Sequence, residues 1–227
     1  MRRIAAVARN TFREAARNKI LYSLLFFALA LIASALALGQ LSVHEERRMI
    51  RDVGLFGVDV FSVLIAIFVG VNLLYKELAL KTVYTILPKP IARWEFVLGK
   101  WLGVMATLLA QIVVMGVAVA VTSWFESGAD AVDGALLKAL WLLLMNVTIV
   151  TSVAMLFSSF SSPFLSGLFS LGVFVVGRSV PDVRALGERV GGAAGRVLSA
   201  ACAVLPNLHL FTPSGSAIAG QHVTVHG

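Results

Sequence analysis

Long uncharged apolar runs are the feature that most limits how this chain can fold. One run extends from Ile20 to Val43 and another from Trp101 to Phe125, and neither contains Asp, Glu, Lys or Arg. A helix needs about 20 such residues to cross the ~30 Å hydrocarbon core of a membrane. Only helices and closed barrels satisfy their backbone hydrogen bonds in lipid, and these runs are continuous rather than alternating. They therefore predict membrane-spanning helices.

The composition excludes the other classes of chain. Of the 227 residues, 59% are hydrophobic and 14% are charged, whereas a soluble domain averages about 45–50% apolar and about 25% charged. A soluble domain of this size could not bury so much apolar surface, and a disordered chain would not contain it. The single cysteine, Cys202, excludes an internal disulfide and a cysteine-rich zinc site. The net charge of +7 lies mostly beside the apolar runs, which indicates an anionic membrane surface rather than nucleic acid as a partner.

We predict an all-α, polytopic helical membrane protein with one transmembrane domain and five spans. The uncharged stretch from Ala139 to Gly177 is too long for one span, and the serines before Pro163 divide it. Beyond residue 178, glycines and arginines interrupt the pattern, and Val197–Leu205 is too short to span. We expect a short re-entrant or interfacial outer helix in this outer segment, 179–227. The predicted spans are 20–41, 55–75, 99–124, 138–158 and 163–178.

The first 19 residues predict an amphipathic helix that lies in the membrane interface. Arginines recur on one face, and small apolar residues lie largely on the other. The alternative is a merely solvated start. A cleaved signal peptide does not fit, because about 19 residues precede a run of full span length. The arginines of that face are Arg2, Arg9, Arg13 and Arg17.

Loop charges predict the orientation. Segments 1–19 and 76–98 are rich in Lys and Arg, so we expect both on the cytoplasmic side of a cell membrane, with a cytoplasmic N-terminus. The acidic connection 126–138 is then outside. The arginines after residue 178 are also outside, and they run against the rule.

Polar residues inside spans are costly and are hypotheses of function by default. Asp59 is expected near the outer end of the second span, where it either pairs with Arg178 or Arg184 or contacts a substrate. Three amides are expected either to form hydrogen bonds between helices or to line a pathway: Asn72, Gln111 and Asn146. Small residues that permit close helix packing are Gly70, Gly103 and Gly116.

The segment from Lys76 to Lys100 is the most informative loop. Pro88 and Pro90 force an extended break, so we expect two short helices joined by a rigid elbow. This shape, together with the basic charge, suits docking of a soluble partner. The alternative is an interfacial loop without a partner.

Two motifs carry a family resemblance. The first is Phe12-Arg13-Glu14-Ala15-x-Arg17-Asn18-Lys19, and the second runs from Glu77 through Thr82 and Leu87-x-x-Pro90-x-x-Arg93 to Gly99-Lys100. With the hydropathy of about residues 8–213, they resemble the export-type (type-2) ABC transporter permeases. The resemblance is strongest to the branch linked to maturation of multicopper enzymes.

The resemblance implies a function and partners. Such permeases have six spans, one more than predicted here, and pair as a homodimer or heterodimer in the lipid bilayer. Their loop between spans two and three docks a separate ATP-binding subunit, which would make 76–98 the coupling loop. The residues that the resemblance suggests for this coupling are Glu77, Lys81, Thr82, Lys89, Pro90, Arg93 and Lys100.

The sequence predicts no catalytic, cofactor or metal site. A nucleotide-binding loop would need glycine at Trp94 and Ser or Thr at Trp101, so ATP hydrolysis is assigned to the partner subunit. His222 and His226 could bind a metal only as a helix, which Thr224 and Val225 disfavour. The leading hypothesis is the membrane subunit of an ATP-driven exporter. The alternative is a non-transporting anchor or scaffold, and an intramembrane enzyme has no supporting constellation of residues.

Overall fold

The computed structural model describes residues 2–39, 46–79, 92–127, 134–190 and 208–211, and these are all-α. The helices are α1 (Arg2–Ala16), α2 (Lys19–Gly39), α3 (Glu46–Ala79), α4 (Arg93–Ser127), α5 (Gly134–Ser158), α6 (Pro163–Arg178) and α7 (Val180–Val190). A short 3₁₀ helix, Leu208–Phe211, packs against α5, α6 and α7. The predicted helical class is therefore confirmed.

Three to five membrane spans are present in the described part of the chain. The segments Ile50–Asn72 of α3, Trp94–Phe125 of α4 and Gly134–Ser158 of α5 are each long and apolar enough to cross a membrane alone. Two further spans arise if bent helix pairs each cross as one unit: α1 with α2, bent by 64°, and α6 with α7, bent by 61°. The upper figure agrees with the five spans expected from the apolar runs.

Helix α3 lies at the centre of the bundle. It packs against α2, α4, α5 and α6, and it supplies many of the buried apolar side chains, such as Val58, Ile65 and Val69. Large apolar side chains on the outer surfaces of α4 and α6 are exposed, with Phe164 the most exposed at 80%. A membrane bundle is expected to show such a surface, because lipid rather than water surrounds it.

Small residues set the helix spacing. A Cβ added at Gly70 of α3 would lie 3.3 Å from Ala154 Cβ of α5, and one at Gly116 of α4 would lie 2.7 Å from Leu140 Cδ1 of α5. At the same end of the bundle as Gly70, Ser158 Oγ donates a hydrogen bond of 2.9 Å to the Val71 carbonyl. Close approach of this kind supports helix association in lipid, where apolar burial adds little between helices.

The turn between α5 and α6 follows its sequence. Ser162 has extended backbone angles, and Pro163 occupies the first turn of α6, where its missing N–H costs no hydrogen bond. The 16 residues of α6 reach about 24 Å, less than a ~30 Å hydrocarbon core. The bend into α7 at Ser179 therefore comes before α6 alone has crossed the membrane. Helix α7 lies in the outer segment 179–227, where a short outer helix is expected, and 191–207 lies outside the described residues.

Candidate functional site

A charged cluster joins three helices inside the bundle. Arg178 Nη1, at the end of α6, contacts Asp59 Oδ2 of α3. Asn146 of α5 donates its Nδ2–H to Asp59 Oδ1 at 3.0 Å. Asp59 is 1% exposed and so is Asn146, whereas the Arg178 side chain keeps 31% of its surface. We call Asp59, Asn146 and Arg178 the intramembrane cluster.

Asp59 and Asn146 of the intramembrane cluster lie within the apolar segments of their helices. The apolar part of α3 begins at Ile50 rather than at 55, so Asp59 is about 14 Å from that end and about 20 Å from Asn72. Asn146 lies near the middle of Gly134–Ser158. Asp59 therefore lies nearer to the Ile50 end of this segment than to its Asn72 end, and its depth in the membrane stays a prediction. Of the two arginines considered as its partner, Arg178 makes the contact, while Arg184 is exposed on α7.

The geometry of the cluster suits a structural role, in which its side chains hold three helices together. A lone charge at this depth is costly, and the contact between the carboxylate and the guanidinium offsets that cost. The Arg178 guanidinium also lies 5.9 Å from the ring centroid of Phe174, one turn earlier in α6. Asn146 Oδ1 is buried without a hydrogen-bond partner among the described residues. The cluster thus holds the end of α6, where the chain bends into α7, against α3 and α5.

The two other intramembrane amides behave differently. Asn72 donates to the Phe68 carbonyl one turn earlier at 2.8 Å, a bond within α3 rather than between helices. Gln111 lies in the middle of α4, is 4% exposed, and neither amide atom has a hydrogen-bond partner in the described part of the chain. Of the three amides, Asn146 is the one whose bond in this structure links two helices.

At the end of the bundle where α3 leaves its apolar segment, α1 lies against the start of α4. A Cβ added at Gly103 would lie 2.6 Å from the Ala8 carbonyl oxygen, and one at Gly99 would lie 2.8 Å from Val7 Cβ. Thr11 and Ala15 of α1 are buried, while the arginines of its basic face, Arg2, Arg9 and Arg13, are exposed, as is Arg17 just beyond its end. Gly99 and Gly103 are spaced as a small-x-x-x-small pair, the signal that identifies this packing. The sequence identifies Gly99 only as part of a motif, and it does not predict the contact between α1 and α4.

The predicted coupling loop, 76–98, is only partly within the described residues. Lys81, Thr82, Lys89 and Pro90 lie outside them. Glu77 lies in α3 and Arg93 begins α4, and no side-chain geometry is described for either. The loop therefore leaves and re-enters the bundle at the end where α1 packs.

Lys100 is the coupling candidate whose side chain is placed. It is 1% exposed, and its Nζ lies 5.9 Å from the Phe96 ring centroid. Lys100 is therefore buried within the described part of the chain, and its role in coupling stays a prediction. Nearby, the Ala92 N–H donates to Glu95 Oε2 at 3.1 Å, which caps the first turn of α4.

Comparison with known proteins identifies the family. The family model of the ABC-2 family transporter protein matches residues 5–187, which covers most of α1, all of α2 to α6 and most of α7. None of the curated proteins compared with the chain matches it. The match covers more than half of the 227 residues. The chain therefore belongs to the ABC-2 family of transporter proteins and is a multi-pass membrane component of transport.

Proposed function

We propose that this chain is the permease subunit of an ATP-driven exporter and that a separate ATP-binding subunit drives it through the 76–98 loop. The N-terminus is then cytoplasmic, as the basic segments 1–19 and 76–98 predict. Two permease subunits, identical or different, would form the transport unit. Membership of the ABC-2 family supports the transport role.

The observation that carries the coupling proposal is that the helices on both sides of the loop run directly into the bundle. Helix α3 is apolar through Asn72 and remains helical to Ala79, and α4 begins at Arg93 beside its span. A displacement of the loop is thereby applied to two rigid helices, one of which is the central helix of the bundle. Helix α3 also contains Asp59, so the same motion reaches the intramembrane cluster.

The test uses Arg93→Glu in the full chain, co-expressed with the ATP-binding subunit encoded beside it. We expect weaker co-purification and loss of the change in ATPase rate that the permease produces. Lys138→Glu is the matched control, because Lys138 is exposed at the start of α5, at the far end of the bundle. Unchanged assembly together with unchanged ATPase coupling would refute the role of Arg93.

The same assay separates transport from scaffolding. A permease alters the ATPase rate of its partner and loses transport when hydrolysis is blocked, whereas an anchor binds the partner without either effect. A finer proposal follows from the loop motif, namely that the chain serves the multicopper-enzyme-maturation branch. In that case, deleting the chain lowers the activity of a multicopper enzyme in the same cell, while the amount of its polypeptide stays the same.

A further inference from the structure

An open cleft lies at the end of the bundle where α1 turns into α2. Its volume is about 640 Å³, and it separates the α1–α2 elbow from the end of the apolar part of α3. We call it the elbow cleft. Its polar lining consists of Asn10, Arg13, Glu14, Arg17, Asn18 and Asn72.

The elbow that forms one wall is held by specific hydrogen bonds. Asn18 Oδ1 accepts from the Ile20 N–H at 3.0 Å, which caps the first turn of α2. Tyr22 donates its hydroxyl to the Ala16 carbonyl at 2.6 Å across the turn. Packing of α1 against Gly99 and Gly103 fixes the helix behind it. The cleft is therefore a built feature of the fold rather than a gap beside a loose terminus.

The elbow cleft lies at the level of lipid headgroups. Asn72 is the last residue of the apolar segment of α3, and α2 enters its apolar run just after Asn18. Tyr22 and Trp94 are exposed at this end of the bundle, at 56% and 63%. Exposed aromatic residues with a polar group are typical of the membrane–water interface. A ligand of the cleft would thus meet both water and the edge of the hydrocarbon.

The charge of the cleft selects an anion. Arg13 lies in the last turn of α1 and Arg17 directly follows the helix, and both are exposed, so their guanidinium groups are available to a shared ligand. Among the described residues of the lining, Glu14 is the one carboxylate, so their formal charge is two positive minus one negative, or +1. Guanidinium groups match phosphate oxygens with paired hydrogen bonds, and asparagine amides add further donors.

We propose that the elbow cleft binds the phosphate of an anionic phospholipid headgroup, with Arg13 and Arg17 as its main ligands. A lipid phosphodiester carries one negative charge, which balances the lining, whereas Glu14 disfavours the dianionic form of free phosphate. Basic pockets between helices at the cytoplasmic face are a known form of lipid recognition. The proposal does not depend on coupling to an ATPase, so either one can fail without the other.

The experiment titrates the purified full chain with phosphatidylglycerol or phosphatidylcholine and counts bound lipids by native mass spectrometry. We expect the double variant Arg13→Gln, Arg17→Gln to bind phosphatidylglycerol at least about tenfold more weakly, from the loss of charge-assisted bonds. The control is Arg2→Gln, Arg9→Gln, which removes the same charge from exposed positions on α1 outside the cleft. We expect the control to remain within about threefold of wild type.

Each outcome decides the question. The proposal is supported if the cleft variant loses affinity for phosphatidylglycerol while the control variant keeps it, and if the double variant Arg13→Lys, Arg17→Lys restores that affinity. Equal weakening in both double variants would show a diffuse basic surface and overturn it. A parallel titration with inorganic phosphate tests the source of the anion, since displacement of the lipid by millimolar phosphate would assign the cleft to free phosphate instead. The melting temperature of each variant is measured alongside. The proposal is also contradicted if the melting temperature falls only in the cleft variant and the double lysine variant does not restore it.

Discussion

Replacing Asp59 by Asn isolates the charge of the intramembrane cluster. The Asn side chain keeps an Oδ1 that accepts the hydrogen bond from Asn146 Nδ2, which measures 3.0 Å in the native protein. Shape and volume barely change. The variant therefore removes only the negative charge of the carboxylate that Arg178 of α6 contacts. Its stability reports what the ion pair contributes at this depth.

The magnitudes follow from burial. Asp59→Asn leaves Arg178 uncompensated, and because 31% of that side chain is exposed we expect a loss of about 2–3 kcal/mol. Arg178→Gln leaves the carboxylate of Asp59 uncompensated at 1% exposure, so the expected loss is about 3–5 kcal/mol. The double variant buries two neutral amides in place of the pair, and we expect it to lose about 1 kcal/mol or less.

The assay is reversible unfolding of the four proteins in mixed micelles with increasing dodecyl sulfate. Arg184→Gln is the control, because Arg184 is exposed on α7, and we expect a change within about 0.5 kcal/mol. Additive losses in the double variant would refute the ion pair as a coupled unit. A smaller loss for Arg178→Gln than for Asp59→Asn would refute the argument from burial.

Two further variants test the glycine contact and the unpaired amide. Gly103→Val should lower the free energy of unfolding by about 1–3 kcal/mol and increase proteolysis of α1, because an added Cβ would lie 2.6 Å from the Ala8 carbonyl oxygen. Gly172→Ala is the control, because a Cβ at that position meets nothing within 4 Å. Gln111→Leu should stabilise by about 1 kcal/mol, since both amide atoms are buried without partners in the described residues. A fall in transport by this more stable variant would assign Gln111 to the pathway, and unchanged transport would exclude that role.

The helices could be predicted because each one is encoded locally. In lipid, every backbone N–H and C=O group of a span must form its hydrogen bond within the helix. A continuous uncharged run such as Ile20–Val43 is therefore expected to be helical. The turn before α6 is equally local, with Pro163 in its first turn. The start of α3 at Glu46 was less predictable, because charged residues precede its apolar part and hydropathy marks only that apolar part.

The pairings could not be predicted, because they join residues distant in the chain. Asp59 and Arg178 are 119 positions apart, and charge alone offered Arg184 as an equal partner. The contact of α1 with α4 depends on how closely two backbones approach at Gly99 and Gly103. Lys100, next to Gly99 in α4, is 1% exposed, although its position in the loop motif suggested a surface role.

By itself, the sequence determined that this protein is a helical membrane bundle, where its apolar helices run, and which ends of the bundle are basic. Those properties depend on the solvent and on neighbours within one or two helical turns. The tertiary structure alone decided that Arg178 meets Asp59 near the middle of the bundle, that α1 closes on α4, and that the elbow cleft exists. Each of these is a matter of distance between separate helices, and local hydropathy carries no information about which helices become neighbours.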